Sequence, residues 1–172
     1  NAPHSPYQAP DRYFNKYAAK GYDNKTAAVY AMVENMDDNI GRLLAKIDQL
    51  NLSKNTIIVF LTDNGPNTPE RYNAGMKGYK GKVDEGGVRV PLFIRWPGTL
   101  ASGKAVHKLS AHIDIMPTLM ELANLSYPQQ LDMDGISLTP LLMNNTDVAI
   151  NNSQWSERKI FSHRLLGDKL DP

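Results

Sequence analysis

The sequence predicts an α/β fold, on three observations. Apolar residues recur at helical spacing over 29–50, and the run 56–62 (TIIVFLT) is β-branched and apolar on both faces. The elements then follow in the order helix, strand, loop, strand, helix. A strand apolar on both faces belongs in the middle of a parallel sheet covered by helices. The expected architecture is therefore part of a doubly wound, mainly parallel sheet with flanking helices.

Each element has its own reason. Residues 1–22 read as loop, because Pro3, Pro6 and Pro10 interrupt regular structure. From about Asn24, the residues Val29, Met32, Val33, Met36, Ile40, Leu43, Leu44, Ile47 and Leu50 line one face of a helix that ends near Asn51. Strand 56–62 follows. Residues 64–89 are polar and Gly-rich, with no strand or helix, and a loop this long within a compact domain is commonly functional. PLFIRWPG (91–98) gives a second short strand closed by Pro-Gly. Ile113 to Asn124 is a second helix, with Asp114 as N-cap and Pro117 tolerated in its first turn. Asp134-Gly135 makes a turn, and SLTPLL (137–142) starts a short helix. NNTDVAINNS (144–153) is a polar linker, and KIFSHRL (159–165) is a strand that begins something new. The domain boundary is placed at about residue 150, dividing 1–150 from 151–172.

Composition excludes several classes. A length of 172 residues supports one core. The formal charge of +1, from 19 Lys and Arg against 18 Asp and Glu, provides no bulk field for nucleic acid or a membrane surface. The apolar run 57–61 is strand-sized, and no apolar run approaches the ~20 residues that a bilayer span needs. With no Cys, the chain holds no disulfide, thiolate metal site or Cys nucleophile. It opens NAPHSPYQAP, without the apolar core of a signal peptide. A start without Met and an end at GDKLDP read as a piece of something longer.

The chemistry concentrates after strand 56–62. Asp63-Asn64-Gly65 stands at its C-terminal end, where ligands bind in open α/β sheets. A carboxylate and an amide oxygen are hard donors suited to Ca²⁺ or Mg²⁺. Asn-Gly is also the strongest short hairpin signal; on local grounds, metal and turn weigh evenly. The loop NAGMKGYKGKVDEGGVRVP sets Lys77, Lys80, Lys82 and Arg89 among glycines that let backbone N–H groups approach an anion. Without context it reads as an ordinary solvated loop. His4 suits proton transfer or anion contact, although a lone His beside prolines is more often simply exposed. His112 reads as a helix-start residue, His107 as a surface one and His163 as packing on a sheet. Asp37 and Asp38 point about 100° apart on their helix, so a cap or salt-bridge role outranks a metal pair.

Taken together, NAPHSPYQAPDRY, MVENMDDNIGRLLAKIDQLNLSKNTIIVFLTDNG, MKGYKGKVDEGGVRVPLFIRWPG, HIDIMPTLMELA and DGISLTPLL, in this order over roughly residues 1–142, resemble the sulfatase family of the alkaline-phosphatase-like superfamily. The resemblance implies a large sheet with flanking helices and a smaller C-terminal antiparallel-sheet region, of which 151–172 is the linker and first strand. It implies hydrolysis of sulfate esters at a Ca²⁺ site, with Mg²⁺ as the alternative ion. Asp63 and Asn64 match the late metal ligands of the family's DNG motif. Lys80 matches the lysine that contacts the substrate's sulfate, since K-G-x-x-x-E-G-G places it five residues before Glu85. His4 matches the P-H-x-P histidine near the leaving-group oxygen, as proton donor or sulfate contact. Glu85 and Arg89 match motif positions that shape the loop.

The family's C/S-x-P-S/A-R nucleophile motif does not occur in these residues, nor do its early acidic pair and G-K-W-H segment. The chain thus resembles the second half of a sulfatase core, and the formylglycine nucleophile is expected in the missing N-terminal part. On its own, it is expected neither to turn over nor to be stable, unless it associates with the missing half or with another copy. The expected partner is a sulfated small molecule or carbohydrate, in a periplasmic or extracellular setting by resemblance. The rival readings are a non-catalytic sulfatase-like domain kept for binding or assembly and, further behind, a phosphoryl hydrolase or transferase of the same superfamily.

Overall fold

The computed structural model describes residues 2–126, 132–143, 153–162, 164–166 and 169–171. These divide into two compact units: Asn1–Thr56 with Thr68–Tyr72, and Ile57–Asn67 with Asn73–Pro172.

The first unit is a pair of helices, α1 (Asp11–Ala18) and α2 (Asn24–Gln49), packed on one another. Helix α1 lies where the sequence predicts only loop. Pro10 does not break it, because proline stands at the position just before the helix, where its fixed φ of −57° is harmless and its missing N–H is not needed. Tyr13 of α1 is buried, and its hydroxyl donates to Asp38 Oδ2 at 2.6 Å. Asp38 is therefore a tie between helices. The rings of Tyr17, Tyr22 and Tyr30 continue this contact, with centroids 5.2 to 6.5 Å apart.

Helix α2 starts on Asp23, whose Oδ1 accepts from the backbone N–H of Lys25 at 2.9 Å and Thr26 at 3.1 Å. Its buried residues, Ala27, Ala28, Val29, Ala31 and Met32, all lie in the N-terminal half. The predicted apolar stripe beyond them is largely open, with Leu43 59% and Leu50 52% exposed. The helix ends in a Schellman turn: Asn51 takes a φ of +58°, Asn51 N–H bonds Asp48 O, and Leu52 N–H bonds Ile47 O.

In the second unit, β1 (Ile58–Leu61) pairs with β2 (Leu92–Arg95) antiparallel, from Ile58 opposite Arg95 to Leu61 opposite Leu92. The predicted parallel sheet is not seen among the described residues. A parallel pair requires a crossover of a dozen or more residues, usually helical. Between these strands the chain forms only one short helix, α3 (Glu85–Val88), itself unpredicted, and returns on the same edge. Both strands are part-buried, and Phe60 meets Phe93 across the ladder at 6.3 Å, Phe93 being 65% exposed.

A 3-10 turn, His112–Asp114, leads into α4 (Ile115–Leu122), with Pro117 in the first turn as predicted. Asp114 does not cap α4 with its side chain. Its carboxylate, 0% exposed, instead accepts from Ala111 N–H at 2.7 Å, Ile136 N–H at 3.0 Å, and Arg158 at 2.6 and 2.8 Å. Arg158 comes from beyond α5 (Thr139–Met143) and α6 (Ser153–Ser156), so this one carboxylate ties three chain segments together. Burial pushes its pKa up, but the Arg158 guanidinium and the two backbone donors outweigh that and hold it below the ordinary value. Close by, Thr118 Oγ1 donates to Asp114 O and accepts from Leu138 N–H, and Leu138, Leu141 and Trp155 form the unit's buried apolar cluster.

Helix α4 ends as α2 does, with Asn124 at φ +52° and Leu125 N–H bonded to Met120 O at 2.8 Å. A left-handed residue with a Cβ costs about 1–2 kcal/mol, less for Asn and nothing for Gly. Asn124→Ala is thus expected to lower stability by about 1 kcal/mol while Asn124→Gly does not. Equal urea midpoints for the two variants would show that this backbone conformation carries no cost. The turn at Asp134-Gly135 forms a bend, and a Cβ on Gly135 would come 2.0 Å from Ile113 O.

The chain closes with β3 (Arg164–Leu166) antiparallel to β4 (Lys169–Asp171). The strand predicted over 159–165 therefore begins late, and residues 159–162 are not part of it. The linker predicted over 144–153 falls outside the described residues up to 152, as does His163. Among the described residues, no helix is long and apolar enough to cross a membrane.

Candidate active site

The candidate site is built in the second unit from two loops joined through their backbones. Thr62-Asp63-Asn64-Gly65 follows β1, and Asn73 to Arg89 contains the Gly-rich stretch. Gly65 N–H bonds Gly87 O at 2.9 Å, Lys80 N–H bonds Pro66 O at 2.8 Å, and Gly86 N–H bonds Lys77 O at 2.7 Å. The approach is so close that only glycine fits. A Cβ on Gly65 would lie 1.8 Å from Gly86 O, and one on Gly86 would lie 2.2 Å from Gly78 O. Gly65 and Gly86 are packing surfaces here.

This geometry removes the hairpin alternative for Asn64-Gly65. A two-residue I′ hairpin needs positive φ at both residues, and neither has it. Gly65 is required by the neighbouring chain and not by a turn. Asp63 is exposed and Asn64 half-buried. The Asn64 side chain hydrogen-bonds the Asp63 carboxylate and, with the backbone N–H groups of Asp63 and Asn64 and the charge of Lys80, lowers its pKa against a small opposing burial effect. Asp63 is thus held as an anion, and an amide that donates to it keeps its own Oδ1 as an acceptor.

The three lysines of the loop separate by role. Lys77 pairs with Asp84 at 2.8 Å, Lys82 is exposed, and Lys80 is half-buried, its charge acting on Asp63. Glu85 and Arg89 make an exposed ion pair at 3.5 Å one helical turn apart, in line with a loop-shaping role. The structure therefore brings Asp63, Asn64 and Lys80 together. His4 belongs to the first unit, where it is exposed and its Nδ1 donates to Ser5 O at 2.9 Å, leaving Nε2 as the acceptor in the neutral ring.

Two residues beside the site were not singled out from sequence for what they do. Asn73 donates from Nδ2 to Met76 O at 2.7 Å and Gly78 O at 3.0 Å, tying down the loop that carries Lys80. His112 donates from Nε2 to Thr62 O at 2.9 Å, directly before Asp63. An Asn opening a Gly-rich loop was the available signal for the first. Nothing local marks the second, whose partner is 50 residues away.

A charged oxygen donor and an amide oxygen beside a lysine are the residue types that suit a hard cation next to an oxyanion. The donor set fits Ca²⁺ in kind but supplies only part of the 6–8 oxygens that ion takes. Among the described residues no cluster of three or more His, Asp or Glu could hold a metal.

The Sulfatase family profile matches residues 1–125. The uncharacterized sulfatase YdeN of Escherichia coli is 36% identical over 148 residues, covering 83% of this chain and 26% of that protein. Human arylsulfatase A is 38% identical over 112 residues, covering 63% of this chain and 22% of its own length. Among solved structures, Ps i-CgsB in complex with k-i-k-neocarrahexaose superposes with a TM-score of 0.76 at 31% identity, over 81% of this chain and 31% of that one. This chain belongs to the sulfatase family. It spans about a quarter of the length of the curated relatives it matches.

Proposed function

We propose that this chain contributes one part of the active site of a sulfatase, which hydrolyses sulfate esters of the form R–O–SO₃⁻ to an alcohol and sulfate. The observation that carries the reading is the backbone joining of the Asp63-Asn64-Gly65 turn to the loop of Lys80. It gathers an anionic oxygen, an amide oxygen and a cation with no strand or core requirement to explain them. Residues 1–150 are assigned to the second half of the catalytic domain, and 151–172 to a linker and the opening of a C-terminal subdomain.

Asp63 and Asn64 would hold the metal, Ca²⁺ by the hardness of the donors. A bound Ca²⁺ would supply Lewis-acid stabilisation of charge on the sulfuryl oxygens. Lys80 binds the sulfate group and offsets the negative charge that grows in the transition state, while Asn73 keeps its loop in place. His4 delivers a proton to the departing ester oxygen, restoring the alcohol, or contacts the sulfate. The nucleophile, a formylglycine by family, is taken to come from outside these residues. A sulfated carbohydrate is the favoured substrate class, supported by the neocarrahexaose in the complex of the similar structure.

The test is turnover of an aryl sulfate by the full-length protein, with Ca²⁺ and after chelation, beside the matching aryl phosphate. Hydrolysis of the sulfate alone, lost on chelation and restored by Ca²⁺, is expected. Preference for the phosphate would move the protein to a phosphoryl hydrolase, and no turnover of aryl or sugar sulfates would leave a binding domain.

A further inference from the structure

We infer that His112 is a positioning residue for the metal site, acting through the Thr62–Asp63 peptide; this rests on the reading of Asp63 and Asn64 as metal ligands. The Thr62 carbonyl lies one residue beyond the β1–β2 ladder, which ends at Leu61 opposite Leu92, so no strand neighbour holds it. His112 does, at 2.9 Å. A carbonyl only accepts, so Nε2 carries the proton in this contact.

What the contact fixes is specific. Thr62 C=O and Asp63 N–H belong to one rigid peptide plane. That same N–H is among the donors that bond the Asp63 carboxylate. Turning the plane therefore turns the donor that aims the carboxylate. His112 itself is anchored through its backbone, its carbonyl accepting from Ile115 N–H. It opens the 3-10 turn that ends at Asp114, and Asp114 is fixed by Ala111, Ile136 and the buried Arg158. A rigid support thus runs from Arg158 through Asp114 and His112 to the peptide that orients the candidate ligand. Hydrogen-bonded supports of this kind change metal affinity by about 10- to 100-fold when removed.

The test is calorimetric titration of Ca²⁺ into the metal-free full-length protein and its H112A and H112Q variants, with unfolding followed in the absence of metal. Glutamine can place an amide N–H where Nε2–H stands, so it is the rescuing variant; H112L, which keeps bulk without the donor, replaces H112A if that fails to fold. Expected is a loss of about tenfold or more in Ca²⁺ affinity for H112A. H112Q should stay within about threefold of the parent. The metal-free unfolding of H112Q should match that of H112A, so that the difference is one of affinity and not of folding. Parental affinity in H112A, or an equal loss in H112Q, overturns the inference and leaves Asp63 and Asn64 as ligands. A parent that binds no Ca²⁺, or binds it equally well as Asp63→Ala, overturns the reading of the site and the inference with it.

Discussion

Asp63→Ala in the full-length protein is expected to lower sulfate-ester turnover at least about 10²- to 10³-fold, the scale of removing a preorganised electrostatic contact. The substitution removes a carboxylate that the Asn64 side chain, backbone donors and Lys80 keep ionised. Asp63→Asn isolates the charge, because it keeps the size and loses only the anion. The effect should fall on kcat/KM at saturating Ca²⁺ while the unfolding midpoint stays nearly parental, since an exposed loop residue changes stability by about 0.5 kcal/mol or less. Near-parental turnover by either variant would remove Asp63 from the metal site. Because the folded pKa lies below the ordinary value, Asp63 stays an anion between pH 7 and 5. Loss of activity between pH 7 and 5 should therefore not trace to Asp63.

Arg158→Ala carries the largest expected effect on stability. Asp114 is 0% exposed and the Arg158 side chain 9%, and the guanidinium engages both carboxylate oxygens. Removing one partner of a buried pair leaves an uncompensated charge, at a cost of about 3–5 kcal/mol. The sign with pH follows from the direction of the shift. In the parent, the lowered pKa of Asp114 contributes stability above the unfolded value of 3.8, and that contribution is lost as pH falls through the folded value. Without Arg158, burial pushes the carboxyl up unopposed by that cation. The deficit of Arg158→Ala should thus be greatest at neutral pH and shrink in acid. Urea denaturation of parent and variant at pH 7 and pH 4 reads this directly. A deficit that does not change with pH would mean that lost packing, including the contact of Arg158 with the Trp155 ring at 5.6 Å, outweighs the charge.

The two expectations differ in how visible they were beforehand. Asp63, Asn64 and Lys80 could be proposed from the sequence because the chemistry of hard donors and the spacing of Lys80 from Glu85 are properties of the chain itself. Helix α2 and the termini at Asn51 and Asn124 were legible because periodicity and left-handed propensity are local. Asp114 does stand at the N-cap of α4, as a carboxylate at a helix start suggests, but its side chain does not cap that helix. Its true partner lies 44 residues on. Helix α1 was missed for the opposite reason: a local signal, Pro10, was given the wrong sign.

The sheet marks the same boundary. Strands 58–61 and 92–95 could be read from β-branched and apolar runs, but not their direction. Direction follows from how the 62–91 connection folds, and that depends on glycines packing against carbonyls of the other loop. The sequence by itself determined which residues can ligate, protonate or pair, together with the local helices and their ends, because these rest on side-chain chemistry and short-range backbone preference. Only the tertiary structure decided that Gly65 serves close approach and not a turn, and that His112 and Arg158 stand behind the site. Each of these is a contact between segments far apart in the chain, fixed by packing and hydrogen bonding that no local window contains.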